Sequence, residues 1–304
     1  MKLHLVVLWV GTAALLGGVG CSSDTQSGGS AGGAGGMAGM SNLAGEAGSS
    51  GLSQSACPEN PSPLRSEGTL VSLPLRPLLA NEPFVFGQPN ALSDGGSLVP
   101  LNFRFYISDV QLLRADDEPL AVDVVSAAGA PEPYGVHLFN AEDADTSTLR
   151  LLAPAGEYSG FRFSLGLKLS CNQQHPASLS DPLTDTSQMT WPHTGGFLFL
   201  RYEALYTPAE NASASPEIPP AVHMGGNIMQ ELVPRVTVQG ALSVPESGTL
   251  ERGVVVVMDE IFKGATANLD VSDVTVGFLN TPETEAGERL RRELPTLNAF
   301  LLEP

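Results

Sequence analysis

The chain has 304 residues, of which 33 are acidic and only 15 are lysine or arginine, so its formal net charge is −18 at pH 7. A surface this acidic repels phosphate groups, which argues against nucleic acid or anionic lipid headgroups as binding partners. Hydrophobic residues make up 42% of the chain, which is enough to build a packed core.

The first twenty residues have the pattern of a bacterial export signal that ends at a lipidated cysteine. Lys2 supplies the positive start, and an uncharged apolar run from residue 3 to 16 is followed by small residues before Cys21. The run is too short to cross a bilayer comfortably. We therefore expect residues 1–20 to be removed and Cys21 to carry the lipid, and Ser22 favours sorting to the outer membrane, at the cell surface or on its periplasmic face. An ordinary secretory signal with an incidental Cys21 is the alternative.

The segment that follows Cys21 is a tether. Up to residue 56 it consists of glycine, serine, alanine and a few polar residues, without hydrophobic periodicity. Such a composition cannot form a core, and a flexible chain of this length has a root-mean-square reach on the order of 30 Å. We expect residues 21–56 to hold a single folded domain, residues 57–304, clear of the membrane.

Alternation of apolar and polar residues dominates this domain. Leu101, Phe103 and Phe105 alternate with Asn102 and Arg104, which is the period-two signature of a half-buried strand. The same pattern recurs in other segments separated by Pro, Gly, Asn and Asp clusters: Phe161–Leu169, Leu70–Leu75, Leu120–Val125, Tyr134–Phe139, Gly196–Tyr206, Arg235–Leu242 and Gly253–Met258. These features predict an all-β fold, an antiparallel β-sandwich.

Two further features complete the predicted domain. A charged run from Thr281 to Leu294 begins with Pro282 and is stopped by Pro295, which predicts a short C-terminal helix. Cys57 and Cys171 are the only cysteines besides Cys21. In the oxidising compartment that an export signal implies, we expect these two to form a disulfide.

Signatures of enzymes are absent from residues 57–304, which contain no H-E-x-x-H, P-loop, G-x-S-x-G or C-x-x-C motif. Beyond residue 20 it has one tryptophan, Trp191, and only four histidines. Pro192 favours extended geometry for Trp191, which would place its ring on the same side as the imidazole of His193. His223 precedes a Met-Gly-Gly sequence that permits close approach of the backbone. Taken without a relative for comparison, these histidines are a weak metal motif, and each could equally be a surface or structural residue.

Several motifs together resemble the MbnP-like copper-binding proteins, a family that includes MopE and the metallo-mystery pair proteins. The matches come in the family's order and cover about residues 68–262: Phe105–Leu112, Pro154–Gly166, Asn172, Pro182–Leu183 before Met189–Trp191, Gly196–Arg201 and a His-x-Gly element at His223.

The resemblance implies a copper site and a partner. It assigns the metal to Trp191, His193 and His223, and two neutral imidazoles in a site of low coordination favour Cu(I). It also implies that Trp191 can be oxidised to kynurenine by a di-haem, peroxidase-like protein, MbnH, so that the partner's chemistry is performed on this chain. The chain departs from the family at two absent cysteines, one near Phe84 and one near Asn227, and at Gln173, where a histidine is usual and His175 stands nearby.

The sequence thus favours a copper-binding envelope lipoprotein that acquires or buffers copper and is not an enzyme. The alternative is a non-metal β-sandwich surface module in which the site has decayed. A copper enzyme ranks last, because no substrate pocket can be argued from the sequence.

Overall fold

The computed structural model describes the folded domain in nine stretches of chain, residues 57–65, 67–91, 95–115, 118–190, 196–207, 221–225, 233–258, 260–261 and 292–304. The predicted signal peptide, Cys21 and the tether lie outside these residues. All of the described residues belong to one compact unit that spans residues 51–304.

The described residues form mostly β-strands, as the alternation predicts. In chain order they are β1 (Thr69–Leu79), β2 (Glu82–Pro83), β3 (Asn90–Ala91), β4 (Ser97–Leu113), β5 (Pro119–Ala121), β6 (Asp123–Val124), β7 (His137–Asn140), β8 (Thr148–Ala153), β9 (Gly156–Leu165), β10 (Leu198–Thr207), β11 (Ala221–Gly225), β12 (Arg235–Val244), β13 (Thr249–Glu251), β14 (Val254–Val257) and β15 (Phe300–Leu302). A short helix, α1 (Leu169–Asn172), follows β9. No helix among the described residues is both long and apolar enough to cross a membrane.

The strands form two sheets, each built on one long strand. The β1 sheet has the order β15-β14-β1-β8-β6, with β2 and β13 also paired to β1. The β4 sheet has the order β11-β10-β4-β9-β12, with β3, β5 and β7 also paired to β4. The predicted all-β sandwich is confirmed.

The pairing departs from the prediction at β1, which β13 and β14 join in parallel. The physical reason lies in the chain path. Since β12 belongs to the β4 sheet, the chain must change sheets before β13, and it reaches β1 by this crossover rather than by a hairpin. A crossover leaves the strand direction unconstrained, whereas a tight hairpin imposes an antiparallel pair.

Aromatic rings fill the space between the sheets. Phe103 and Phe105 of β4 are fully buried, and the ring of Phe105 stacks on that of Phe139 with centroids 4.6 Å apart. Phe300, from the β1 sheet, packs edge-on against Phe105 and Phe163 at 5.7 and 5.2 Å. Burying a side chain of this size contributes about 1.5–3 kcal/mol. The last strand of the chain therefore helps to close the sandwich.

Local turn chemistry explains where strand predictions were wrong. The strand predicted from Tyr134 begins only at His137, because residues Pro133–Gly135 form a 3-10 turn in which Tyr134 has a φ of 61°. The alternation from Phe161 stops at Leu165, and Leu169 already begins α1. Of the predicted C-terminal helix, residues 281–291 lie outside the described residues, and the next two are helical before a 3-10 turn.

The structure contains the expected disulfide between Cys57 and Cys171. The bond joins residues 114 positions apart, so it links the start of the domain to α1. A closed loop of this length restricts the unfolded chain and stabilises a fold by about 2–5 kcal/mol. The segment that follows α1 is therefore anchored at its first turn.

His137 is a buried histidine of β7. Its side chain is 8% exposed, and its Nε2 atom has no hydrogen-bonding partner among the described residues. Burial lowers the pKa of His137 to about 4, against a weaker opposing effect of its hydrogen bond with the Thr146 backbone. The imidazole is consequently neutral at physiological pH.

We predict that His137 makes the fold less stable in mild acid. Between pH 6.5 and 4 the unfolded chain takes up a proton on this residue while the folded chain does not. The free energy of unfolding is therefore highest above pH 6.5 and decreases as the pH falls. The shift in the pKa of His137 lowers the free energy of unfolding by about 3 kcal/mol at pH 4. Urea unfolding from pH 7 to 4 should give a shallower pH dependence for His137→Asn than for the wild type. Identical dependences would refute the assignment.

Candidate metal site

A segment after β9 covers the outer face of the β4 sheet, the face turned away from the β1 sheet. We call residues 169–190 the cover segment. The side chains of three outward-facing residues hold it by hydrogen bonds to its backbone: Tyr106 Oη donates to Pro182 O at 2.8 Å, Arg104 Nη1 to Ser187 O at 2.8 Å and Arg201 Nη1 to Gln188 O at 2.7 Å. The segment thus leads into Trp191 from a fixed position on the sheet.

Arg104 bonds to three different residues. Besides Ser187 O, its guanidinium donates to Asn140 Oδ1 at 3.1 Å and to Glu142 Oε2 at 2.6 Å. Its side chain is 8% exposed, so the positive charge depends on these acceptors for the solvation that it loses on burial. Arg104 therefore fixes the cover segment and the residues after β7 to the same strand.

His223 lies on β11, at the edge of the β4 sheet. It pairs with Arg201 of β10, and its side chain is 8% exposed. Glu203 lies two residues after Arg201 on β10, so its side chain is on the same face as those of Arg201 and His223. The Nε2 atom of His223 is 2.8 Å from Oε1 of Glu203. The structure thus places a buried imidazole against a carboxylate on the outer face.

The Glu203 carboxylate is ionised. The hydrogen bond from His223 is the largest cause that lowers the pKa of Glu203 to about 2, and Arg201 adds to this effect while partial burial opposes it. Arg201 Nε lies 3.1 Å from Oε1 and Nη2 lies 3.0 Å from Oε2. This two-point contact fixes the plane of the carboxylate as well as its charge.

Asn102 adds an unsatisfied acceptor to this part of the face. It stands directly opposite Glu203 in the β4–β10 ladder and is 4% exposed. Its Oδ1 atom has no hydrogen-bonding partner among the described residues. A buried acceptor of this kind favours a donor or a cation as its neighbour.

Trp191 and His193 lie outside the described residues, but both ends of their loop are described. Thr190 and Phe197 form an isolated β-bridge, and Leu198 N donates to Met189 O at 2.7 Å. Phe197 N donates to Asn172 Oδ1 at 2.9 Å. The described residues on either side of positions 191–195 therefore meet next to the start of β10.

Gly225 brings β11 against this same end of β10. It pairs with Leu198 and has a φ of 147°. A Cβ atom at this position would lie 2.3 Å from Phe197 O, so a side chain would force the strand away. The glycine thus lets His223, two residues earlier, approach the base of the loop.

The other histidines of the domain lie elsewhere. His137 belongs to β7, which pairs with β4 at Ile107 rather than with β10. His175 caps a 3-10 turn in the cover segment, where its Nδ1 atom accepts from Ala177 N at 3.2 Å. Across the described stretches of the domain, no group of three or more His, Cys, Asp or Glu side chains is placed to hold a metal. His223 and Glu203 are thus the described part of the candidate site.

The sequence does not single out Glu203 and Arg201 as site residues. Their alternation with Leu200 and Tyr202 is visible in the sequence and places both on one face of a strand. Nothing in that alternation indicates that the strand bearing His223 lies alongside, because the two segments are joined by residues without strand periodicity.

Comparison with known proteins places the chain in a family. The sequence profile of the MbnP family matches residues 68–279. A solved structure, MbnP from Methylosinus trichosporium, is 18% identical, with a TM-score of 0.46 over 65% of this chain and 78% of that one. No curated protein matches. Since the profile covers more than two thirds of the chain, the chain belongs to the MbnP family.

Proposed function

We propose that the protein is a copper-binding lipoprotein of the cell envelope, which holds the metal through Trp191, His193 and His223 and acquires or buffers copper without turnover of its own. Membership of the MbnP family, which is associated with copper, supports copper as the bound metal. The observation that carries the proposal is the buried His223–Glu203 pair on β11 and β10, since β10 begins five residues after His193 in the chain.

The geometry around the loop is compatible with the proposed ligands. His193 lies four residues before Phe197, so chain length alone keeps it within about 14 Å of that residue. Phe197 O is in turn packed against Gly225, two residues from His223. Chain length is therefore compatible with both imidazoles reaching one end of β10.

The donor set suits copper. Neutral imidazole binds copper well, and the cuprous ion accepts few ligands. The ionised Glu203 carboxylate places a negative charge beside His223, which offsets part of the charge of a bound cation. The histidines would bind the metal, the sheet would orient them, and the cover segment would limit access of water.

Removing either histidine should abolish copper binding. We predict about one Cu(I) per chain in the wild type, measured by competition with a chromophoric chelator, and loss of that equivalent in His193→Ala and in His223→Ala. His175→Ala is the matched control, because His175 is exposed on the same cover segment and lies outside the proposed site. Wild-type protein that stays metal-free in copper-replete cells would contradict the proposal.

Trp191 is the proposed site of oxidation to kynurenine by a di-haem, peroxidase-like partner. With a peroxide as oxidant, the haem partner would cleave the indole C2–C3 bond and add two oxygen atoms, so that C3 becomes a ketone. Hydrolysis then releases C2 as formate and leaves the ring nitrogen as an aniline amine, which turns a donor-only side chain into one with ligand atoms. We predict that co-expression with the partner adds about four mass units to the peptide that contains Trp191, as seen by mass spectrometry. Protein made without the partner is the control. If Trp191 stays intact with the partner present while copper still binds through the histidines, the modification proposal fails and the two-histidine site remains.

Cys21 is the proposed membrane anchor, at the outer membrane. A diacylglyceryl group with an added N-acyl chain would supply the two lipid signals that stable attachment requires. We predict that Cys21→Ser moves the protein from the membrane fraction to the soluble fraction, as judged by fractionation and immunoblotting. Continued association of the variant with membranes would show that another anchor exists.

The alternative function is that of a surface module whose metal site has decayed. One observation favours it: Nε2 of His223 already bonds to Glu203, which is how a purely structural histidine would be satisfied. The copper titration above distinguishes the two functions, because a structural His223 would leave wild-type protein without Cu(I).

A further inference from the structure

We propose that Glu203, held by Arg201, is a positioning residue that fixes the tautomer of His223 and so assigns the metal to the Nδ1 atom of that ring. The inference rests on the proposed copper site and deepens it, because it states which ring nitrogen serves and what holds it. Three side chains carry the argument, and each lies on the outer face of β10 or β11.

The hydrogen bond sets the proton. Glu203 Oε1 and His223 Nε2 are 2.8 Å apart. Both carboxylate oxygens of Glu203 accept from the Arg201 guanidinium, so the group acts as an acceptor and the proton between Glu203 and His223 lies on Nε2. A neutral imidazole that carries its proton on Nε2 has its lone pair on Nδ1, and only that nitrogen can then bind a metal.

The strand geometry makes this bond specific to Glu203. His223 pairs directly with Arg201, while Glu203 pairs with Ala221, so the His223–Glu203 contact is a diagonal one across the ladder. A diagonal neighbour is within reach of a long side chain but not of a short one. Aspartate at position 203 would therefore keep the charge and lose the contact.

Arg201 connects this pair to the tryptophan loop. Its Nε and Nη2 atoms hold both carboxylate oxygens of Glu203, and its Nη1 atom holds Gln188 O at 2.7 Å. Gln188 precedes Trp191 by three residues. The guanidinium thus ties the orientation of His223 to the segment that delivers the other two proposed ligands.

Carboxylates that bond to a ligating histidine tune metal sites in this way. They fix ring orientation and raise ligand basicity, and their loss typically weakens metal binding by about 10- to 100-fold. Arg201 binds both carboxylate oxygens of Glu203 with two nitrogen atoms. Lysine cannot reproduce this contact, because its ammonium group is a single point of charge.

The test uses full-length protein and begins without metal. Nitrogen-detected NMR of the histidine side chains, with His223→Gln to assign the signal, should show His223 protonated on Nε2 in the wild type. In Glu203→Gln a donating amide nitrogen replaces one carboxylate oxygen, so it either faces His223 Nε2 or displaces Arg201 Nη2, and the fixed tautomer should give way to a mixture. Glu142→Gln is the matched control, because Glu142 also pairs with an arginine of this sheet but lies away from His223.

The second measurement is Cu(I) affinity by chelator competition. We expect a drop of about 10- to 100-fold in Glu203→Gln, a comparable drop in Glu203→Asp, and a smaller drop in Arg201→Lys with the tautomer retained. Thermal unfolding of each variant confirms that it is folded.

The outcomes separate the inference from the copper proposal. If His223 in metal-free Glu203→Gln keeps its proton on Nε2, or if Glu203→Gln binds Cu(I) as tightly as Glu142→Gln, the positioning role is overturned. If the wild type binds no Cu(I), the copper proposal fails, and the tautomer measurement still decides whether Glu203 positions His223.

Discussion

The burial of polar side chains on the outer face of β4 is the constraint on which the rest of the structure depends. One face of this strand packs Phe103 and Phe105 into the sandwich, as in any half-buried strand. The other face carries Arg104 and Tyr106, and it is buried as well, beneath the cover segment. Buried polar groups need partners, so these side chains must bond to whatever covers them. The need for partners therefore determines where the cover segment lies.

The same requirement places the candidate site. The cover segment has little regular structure of its own, and its position comes from Arg104, Tyr106, Arg201 and the disulfide at its first turn. It ends at Thr190, which bridges to Phe197 just before β10. The residues that follow Thr190 therefore leave the sheet from a defined position, as binding residues do when a rigid scaffold holds them.

Electrostatics on this face differ from those of the chain as a whole. The protein is strongly acidic, yet the two arginines that bond to the cover segment each have a carboxylate beside them, Arg104 with Glu142 and Arg201 with Glu203. Such paired charges contribute modestly to stability when half exposed, but they hold side chains in defined orientations. The Arg201–Glu203 pair orients His223, so its main consequence is the position of that ring rather than the stability of the fold.

The sequence by itself determined the strands with strong alternation, the sandwich class, the cysteine pairing and, through a resemblance, the family. Those features depend on local periodicity, on the chemistry of the compartment, or on motifs that keep their order along the chain. It did not indicate that β13 and β14 run parallel to β1, that Tyr134 starts a turn, or that β11 lies beside β10 with His223 against Glu203. Strand order and register are decided by contacts between residues far apart in the chain, and two histidines or a histidine and a carboxylate meet only once that order is set. Alternation could place Arg201 and Glu203 on one face of a strand, but only the tertiary structure decided which residue they would face.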